Sequence, residues 1–225
     1  ANFKLAILMS LIIQAFKYAA EPFFFQQAEN KNNPQLFARV MHWFIIFCTF
    51  LMVAVSVNLK LIGELFFQAE GYATALPMVP ILLMGYLFLG IYYNLSIWFK
   101  ITDQTQYSFY ITLIGAVVTI IIILTLVPVL GFLGGALSTF GSYLVMTLLC
   151  YFIGQKHYPI PYQTKKDTGY LLIAFTLSYG GFLLDTGSLV LNFTLHSSII
   201  LLYGVLIFLL EKKELNLLLK SFSNK

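Results

Sequence analysis

Seven apolar runs of about 20 residues follow one another along the chain, at roughly 5–25, 36–58, 74–97, 107–128, 131–153, 169–186 and 190–210. A run of that length matches the hydrocarbon thickness of a bilayer. In lipid each backbone N–H and C=O needs a partner inside its own segment, so such runs fold as helices. The sequence therefore predicts an all-α fold, a polytopic membrane helix bundle with about seven transmembrane helices. Its 60% hydrophobic and 10% charged residues and mean hydropathy of +0.86 fit, since soluble domains carry about 25% charged residues. The links between runs are short, which makes successive helices antiparallel neighbours.

A net charge of +4 in such a chain is not a nucleic-acid footprint and is read by position instead. With the C-terminus placed in the cytoplasm, Lys31, Arg39, Lys100, Lys156, Lys165, Lys166, Lys212, Lys213, Lys220 and Lys225 all fall inside. Lys4 and Lys60 fall outside, and Lys17 lies within the membrane. Basic residues collect in cytoplasmic loops, so the expectation is a cytoplasmic C-terminus and a first span that runs from outside to inside.

Within that first span, Lys17 and Glu21 stand four residues apart, on one face of a helix and one turn from each other. A charge at membrane depth costs at least ~2.5–3.5 kcal/mol and marks a candidate functional site. A structural pair in which each neutralises the other is the plainer alternative. Pro22 follows Glu21 directly and removes a backbone donor beside the charge. A charged pair at a weakened point of a helix is expected to face a cavity rather than lipid.

Other polar residues in the runs are sparse. Asn94, in Tyr92-Tyr93-Asn94-Leu95-Ser96-Ile97-Trp98, is a third candidate, because a buried amide needs partners on a neighbouring helix or in a cavity. Trp98 and the tyrosines fit an aromatic belt at the cytoplasmic interface. His42 and His196 read as packing residues. Gly131-Gly135-Thr139 and Gly134-Ser138-Ser142 form small-residue rows that let helices approach closely, and Pro128 marks a tight hairpin before them. Lys60 to Gln68 reads as an amphipathic turn at the outer surface, and His157-Tyr-Pro-Ile-Pro-Tyr162 as a stiff connector. Cys48 and Cys150 are far apart in apolar runs, as buried inert thiols. No phosphate loop, metal-ligand cluster or nucleophile elbow is present in the sequence, so neither catalytic residues nor a cofactor are expected.

The run Gly115-Ala-Val-Val-Thr119-Ile-Ile-Ile-Ile123-Leu-Thr-Leu-Val-Pro128-Val-Leu-Gly131-Phe-Leu-Gly134-Gly135-Ala136-Leu-Ser-Thr139 resembles a recurrent stretch of bacterial polysaccharide flippases. These are the O-antigen and capsule exporters of the multidrug/oligosaccharidyl-lipid/polysaccharide transporter superfamily. Two asparagine positions of that pattern hold Thr119 and Ile123 here. Phe16 to Phe25 is similar to the family's eighth helix, Gly90 to Trp98 to its tenth, and Tyr158-Pro-Ile-Pro-Tyr162 to the linker before its last two helices.

The resemblance implies a parent of fourteen helices, of which this chain supplies helices eight to fourteen. The chain begins Ala-Asn-Phe-Lys, which agrees with the expectation that an N-terminal lobe precedes it. On this reading 1–153 are a second-lobe bundle of five spans, 154–168 a cytoplasmic linker, 169–211 a terminal helix pair and 212–225 a basic cytoplasmic tail. The implied function is flipping of lipid-linked oligosaccharide across the bacterial inner membrane by alternating access. Lys17, Glu21 and Asn94 are then substrate-binding, and the partners are the lipid-linked oligosaccharide, membrane lipids, the N-terminal lobe and a coupling ion, proton or sodium. A multidrug or cation antiporter of the same superfamily is the nearest alternative. It needs several cavity-facing carboxylates, and the sequence offers Glu21 alone. A membrane-embedded glycosyltransferase or polymerase, a seven-helix receptor and a structural accessory subunit are the others.

Overall fold

A computed structural model describes residues 3–27, 33–66, 76–184 and 186–223. Nine helices and no strand are found among them: α1 (Phe3–Gln27), α2 (Asn33–Val57), α3 (Leu59–Phe66), α4 (Val79–Leu95), α5 (Ile97–Ile101), α6 (Gln106–Leu130), α7 (Phe132–His157), α8 (Thr164–Leu183) and α9 (Leu189–Ser223). A 3-10 turn, Leu76–Met78, leads into α4. The fold is an all-α membrane helix bundle, and the chain is a multi-pass membrane protein. Five segments are long and apolar enough to cross a bilayer: Pro34–Val57, Leu76–Ile101, Gln106–Leu130, Phe132–His157 and Val190–Asn216. Helices α1 and α8 stand where the other two expected spans fall.

Two helices that are apolar all round meet opposite fates. Helix α4 lies at the centre, packed against α7, α1 and α2, and most of its side chains are buried. Helix α6 packs on α7 and exposes Leu113, Val117, Ile120, Ile121 and Leu124. A helix without a polar face is suited to burial in protein or to a lipid surround, and away from α7 the side chains of α6 stand exposed. Helix α8 packs along α2, and α9 closes the far side through lighter contacts with α2 and α8.

The hairpin between α6 and α7 forms where expected, three residues past Pro128. Gly131 turns the chain at φ +56°, a conformation that L side chains rarely adopt. Of the two small-residue rows only one packs. Gly134, Ser138 and Ser142 are buried, and Ser142 Oγ donates to the Gly115 carbonyl of α6 at 2.8 Å. Gly131 is exposed, and a side chain at Gly135 would meet nothing within 4 Å. Pro22 leaves α1 continuous.

Other differences from the sequence reading concern the ends. Trp98 is not a lipid-facing belt residue. It is 1% exposed, stacked on His157 with centroids 5.3 Å apart and flanked by Tyr107. The segment after residue 211 continues α9 in helical form to Ser223. The connector 158–163 is pinned by Gln155 Nε2, which donates to the Ile160 carbonyl at 2.7 Å. Burial of its Tyr162 phenol pushes that group's pKa up. The amphipathic segment forms α3, with Lys60 Nζ 5.8 Å from the Phe182 ring; Gln68, at its expected end, lies outside the described residues.

Antiparallel packing gathers the end of α1, the starts of α2, α6 and α8, and the ends of α5 and α7 at one face of the bundle. The Glu21–Lys100, Trp98–His157 and His42–Asp167 contacts hold that end together. Arg39, Lys100, Lys156, Lys165 and Lys166 stand there, so the bundle has one basic end.

Candidate functional site

Lys17 and Glu21 do share a face of α1, but they are not each other's partner. Glu21 Oε1 accepts from Lys100 Nζ of α5 at 2.6 Å. Lys17 Nζ instead sits 4.5 Å from the centroid of the Tyr93 ring of α4. The reason lies in the packing of α1 on α4, which brings a second ammonium and an aromatic face to the pair. A cation over a tyrosine ring is worth roughly 0.5–2 kcal/mol according to its desolvation.

These four side chains line a crevice with Phe16, Ala20, Phe24 and Ile97. Its volume is about 10 Å³, room for about one water molecule. The charged pair therefore borders a narrow slot, not a wide chamber. On the other side of Phe16 lies an apolar groove of about 390 Å³ between α1 and α2, walled by Val40, Trp43, Phe44 and Phe47, with Arg39 among its lining. Phe16 and Phe44 meet at its wall with tilted rings, centroids 4.4 Å apart.

Asn94 is buried on α4 but does not line the crevice. Its Nδ2 donates to the Gly90 carbonyl one turn back at 3.0 Å, and its Oδ1 is buried without a hydrogen-bond partner. The structure thus brings Lys17 and Glu21 together and sets Asn94 apart. Thr119, at one of the two substituted asparagine positions, donates to its own helix at Gly115 O, 3.0 Å away, and Ile123 is exposed.

A second cluster, not anticipated from the sequence, ties α2, α8 and α9 together. His42 is fully buried. Its Nδ1 lies 2.5 Å from Asp167 Oδ1 and its Nε2 3.2 Å from Glu211 Oε1. Tyr170 donates its hydroxyl to Glu211 Oε1 at 2.6 Å, and Lys166 Nζ reaches the same carboxylate at 2.7 Å. Gln163 Nε2 donates to Glu214 Oε1 at 3.3 Å. Asp167 sits in the first turn of α8, where the exposed N–H groups of a helix favour a carboxylate. His42 is no isolated packing residue; it links a carboxylate of α8 to one of α9. The signal was depth: all three residues stand within about two turns of the basic ends of their spans.

Compared with known proteins, the chain matches no family model, no curated protein and no solved structure.

Proposed function

We propose that this chain takes part in moving a lipid-linked oligosaccharide across a bacterial inner membrane by alternating access, with its C-terminus in the cytoplasm. The observation that carries the reading is the shared wall at Phe16, with a cationic, aromatic crevice on one side and an apolar groove on the other. An amphiphile with an anionic sugar-pyrophosphate head and a long hydrocarbon tail needs those two surfaces side by side. Lys17 and Lys100 supply positive charge for the head from two helices at once. Tyr93 supplies a face for a sugar ring, and the Phe16–Phe44–Phe47 groove supplies the path for the tail. In this role Glu21 holds Lys100 until an anion competes for it. The sequence resemblance to polysaccharide flippases supports the same reading, as does the bundle of long apolar helices.

Lys17→Ala in the full-length protein tests it. Polysaccharide export falls to background with membrane expression retained. Wild-type export in that variant removes Lys17 from the mechanism.

One observation favours the antiporter alternative. The sequence offered Glu21 as its single intramembrane carboxylate, yet Asp167, Glu211 and Glu214 converge near His42. On that reading Lys17→Ala leaves transport intact, while Asp167→Asn abolishes cation-driven efflux of a fluorescent drug.

A further inference from the structure

We infer that His42, Glu211 and Glu214 form a binding site for a first-row divalent cation of the zinc type, at the basic end of the bundle between α2 and α9. The inference does not depend on what the protein transports. One imidazole nitrogen and two carboxylates have ligand atoms within 4.8 Å of one another. Imidazole and carboxylate are ligands that suit zinc and its neighbours. Glu211 and Glu214 stand three apart on α9, so both present to the same side of the helix.

The orientation of His42 is the independent observation. Its Nδ1 is engaged by Asp167 at 2.5 Å, the carboxylate–histidine arrangement that fixes a ring for metal binding through its other nitrogen. That other nitrogen, Nε2, is fully buried and lies 3.2 Å from Glu211 Oε1, beside the carboxylate but off the line of a hydrogen bond. With Nδ1–H donating to Asp167, a ring unprotonated at Nε2 keeps that lone pair free for a cation held jointly with the neighbouring Glu211 carboxylate, whereas a proton on Nε2 makes the same contact an ion pair. Bonds of about 2.0 Å to a tetrahedral metal place two such ligand atoms about 3.3 Å apart, close to the separation found. Glu214 Oε2 is likewise buried and unpartnered, and a small inward shift of its side chain completes three protein ligands, with water as the fourth.

The charge count agrees. With His42 unprotonated and Lys166 in place, Asp167, Glu211 and Glu214 bring three negative charges against one positive, an excess of two in a largely buried cluster. One divalent cation balances it. Lys166, whose side chain is one-third exposed, holds the Glu211 carboxylate and competes with a metal for its oxygens while remaining close enough to count toward the charge. Its flexible stem lets the ammonium back away from the ligand oxygen when a metal binds.

The test is Zn²⁺ titration of the full chain in detergent after chelator stripping, read by competition with a chromophoric chelator. The wild type binds one Zn²⁺ saturably. Glu214→Gln, half-buried and conservative, weakens binding at least tenfold, and Asp167→Asn weakens it about 10- to 100-fold, the usual cost of losing such an outer partner. Lys166→Met tightens it, because the competing ammonium is gone, which stray binding at His157 or His196 does not reproduce. Absence of saturable binding in the wild type overturns the site, as happens if a proton alone meets the charge. Binding indifferent to both Glu214→Gln and Lys166→Met overturns it equally.

Discussion

His42 Nδ1 and Asp167 Oδ1 lie 2.5 Å apart across 125 residues of chain. The contact pins the start of α8 to α2, and both side chains are almost wholly buried. Removing one member of such a pair leaves a desolvated polar group behind, which costs about 3–5 kcal/mol. Asp167→Ala is expected to destabilise the protein by that order, seen as a lower midpoint of thermal unfolding in detergent. The double variant His42→Leu with Asp167→Leu recovers much of the loss, because a well-packed apolar pair often replaces a buried ionic one at little cost. A double-mutant cycle reads the difference as coupling.

The Glu21–Lys100 bridge behaves differently. Its side chains are about one-third and one-quarter exposed, so solvent screens the attraction and the pair is worth at most about 1 kcal/mol. Glu21→Ala leaves the unfolding midpoint close to wild type. A large loss of stability there shows the bridge to be more deeply shielded than the structure has it.

At the α6–α7 hairpin the two close approaches differ in what can yield. A Cβ at Gly134 falls 2.8 Å from the Leu126 backbone, whereas one at Gly115 meets Met146 Sδ at 2.5 Å, the flexible end of a side chain. Gly134→Ala is therefore the more costly of the two, since backbone has to move, and Gly115→Ala stays within the ~1–3 kcal/mol usual for overpacking. Comparative melts of the two variants check the order.

Cys48 and Cys150 are fully buried. Neither reacts with a membrane-permeant maleimide in the folded protein, and both react after denaturation. Labelling of either thiol in the native bundle contradicts its burial.

Much of the helical plan was legible because spanning a bilayer demands long uninterrupted apolar runs, and these are hard to mistake. The hairpin at Gly131 was legible for a local reason, a proline followed by a glycine where the chain must reverse. Which partner each charge takes was not. Lys17 and Glu21 satisfy the helical spacing rule for a pair, yet Lys100 lies 79 residues further on, and only the packing of α1 on α4 brings it near. The His42 cluster escaped for a related reason. Asp167 and Glu211 fall at the edges of apolar runs, where composition alone reads them as loop and tail. Their burial depends on α8 and α9 continuing as helix beyond the apolar run, which Thr164–Leu183 and Leu189–Ser223 do. Trp98 was misplaced because an aromatic near the end of a span fits a lipid belt and an internal seal equally well.

The proposed role of the Phe16 wall is tested most directly by translocation in vesicles. The full-length protein is reconstituted into liposomes with a fluorescent polyprenyl-pyrophosphate oligosaccharide, and the fraction reaching the opposite leaflet is measured for the wild type and for Lys17→Ala. The account predicts transfer by the wild type, and a rate in Lys17→Ala reduced at least tenfold with the bundle still folded. Equal rates in the two proteins, or no transfer by the wild type above empty liposomes, contradict it.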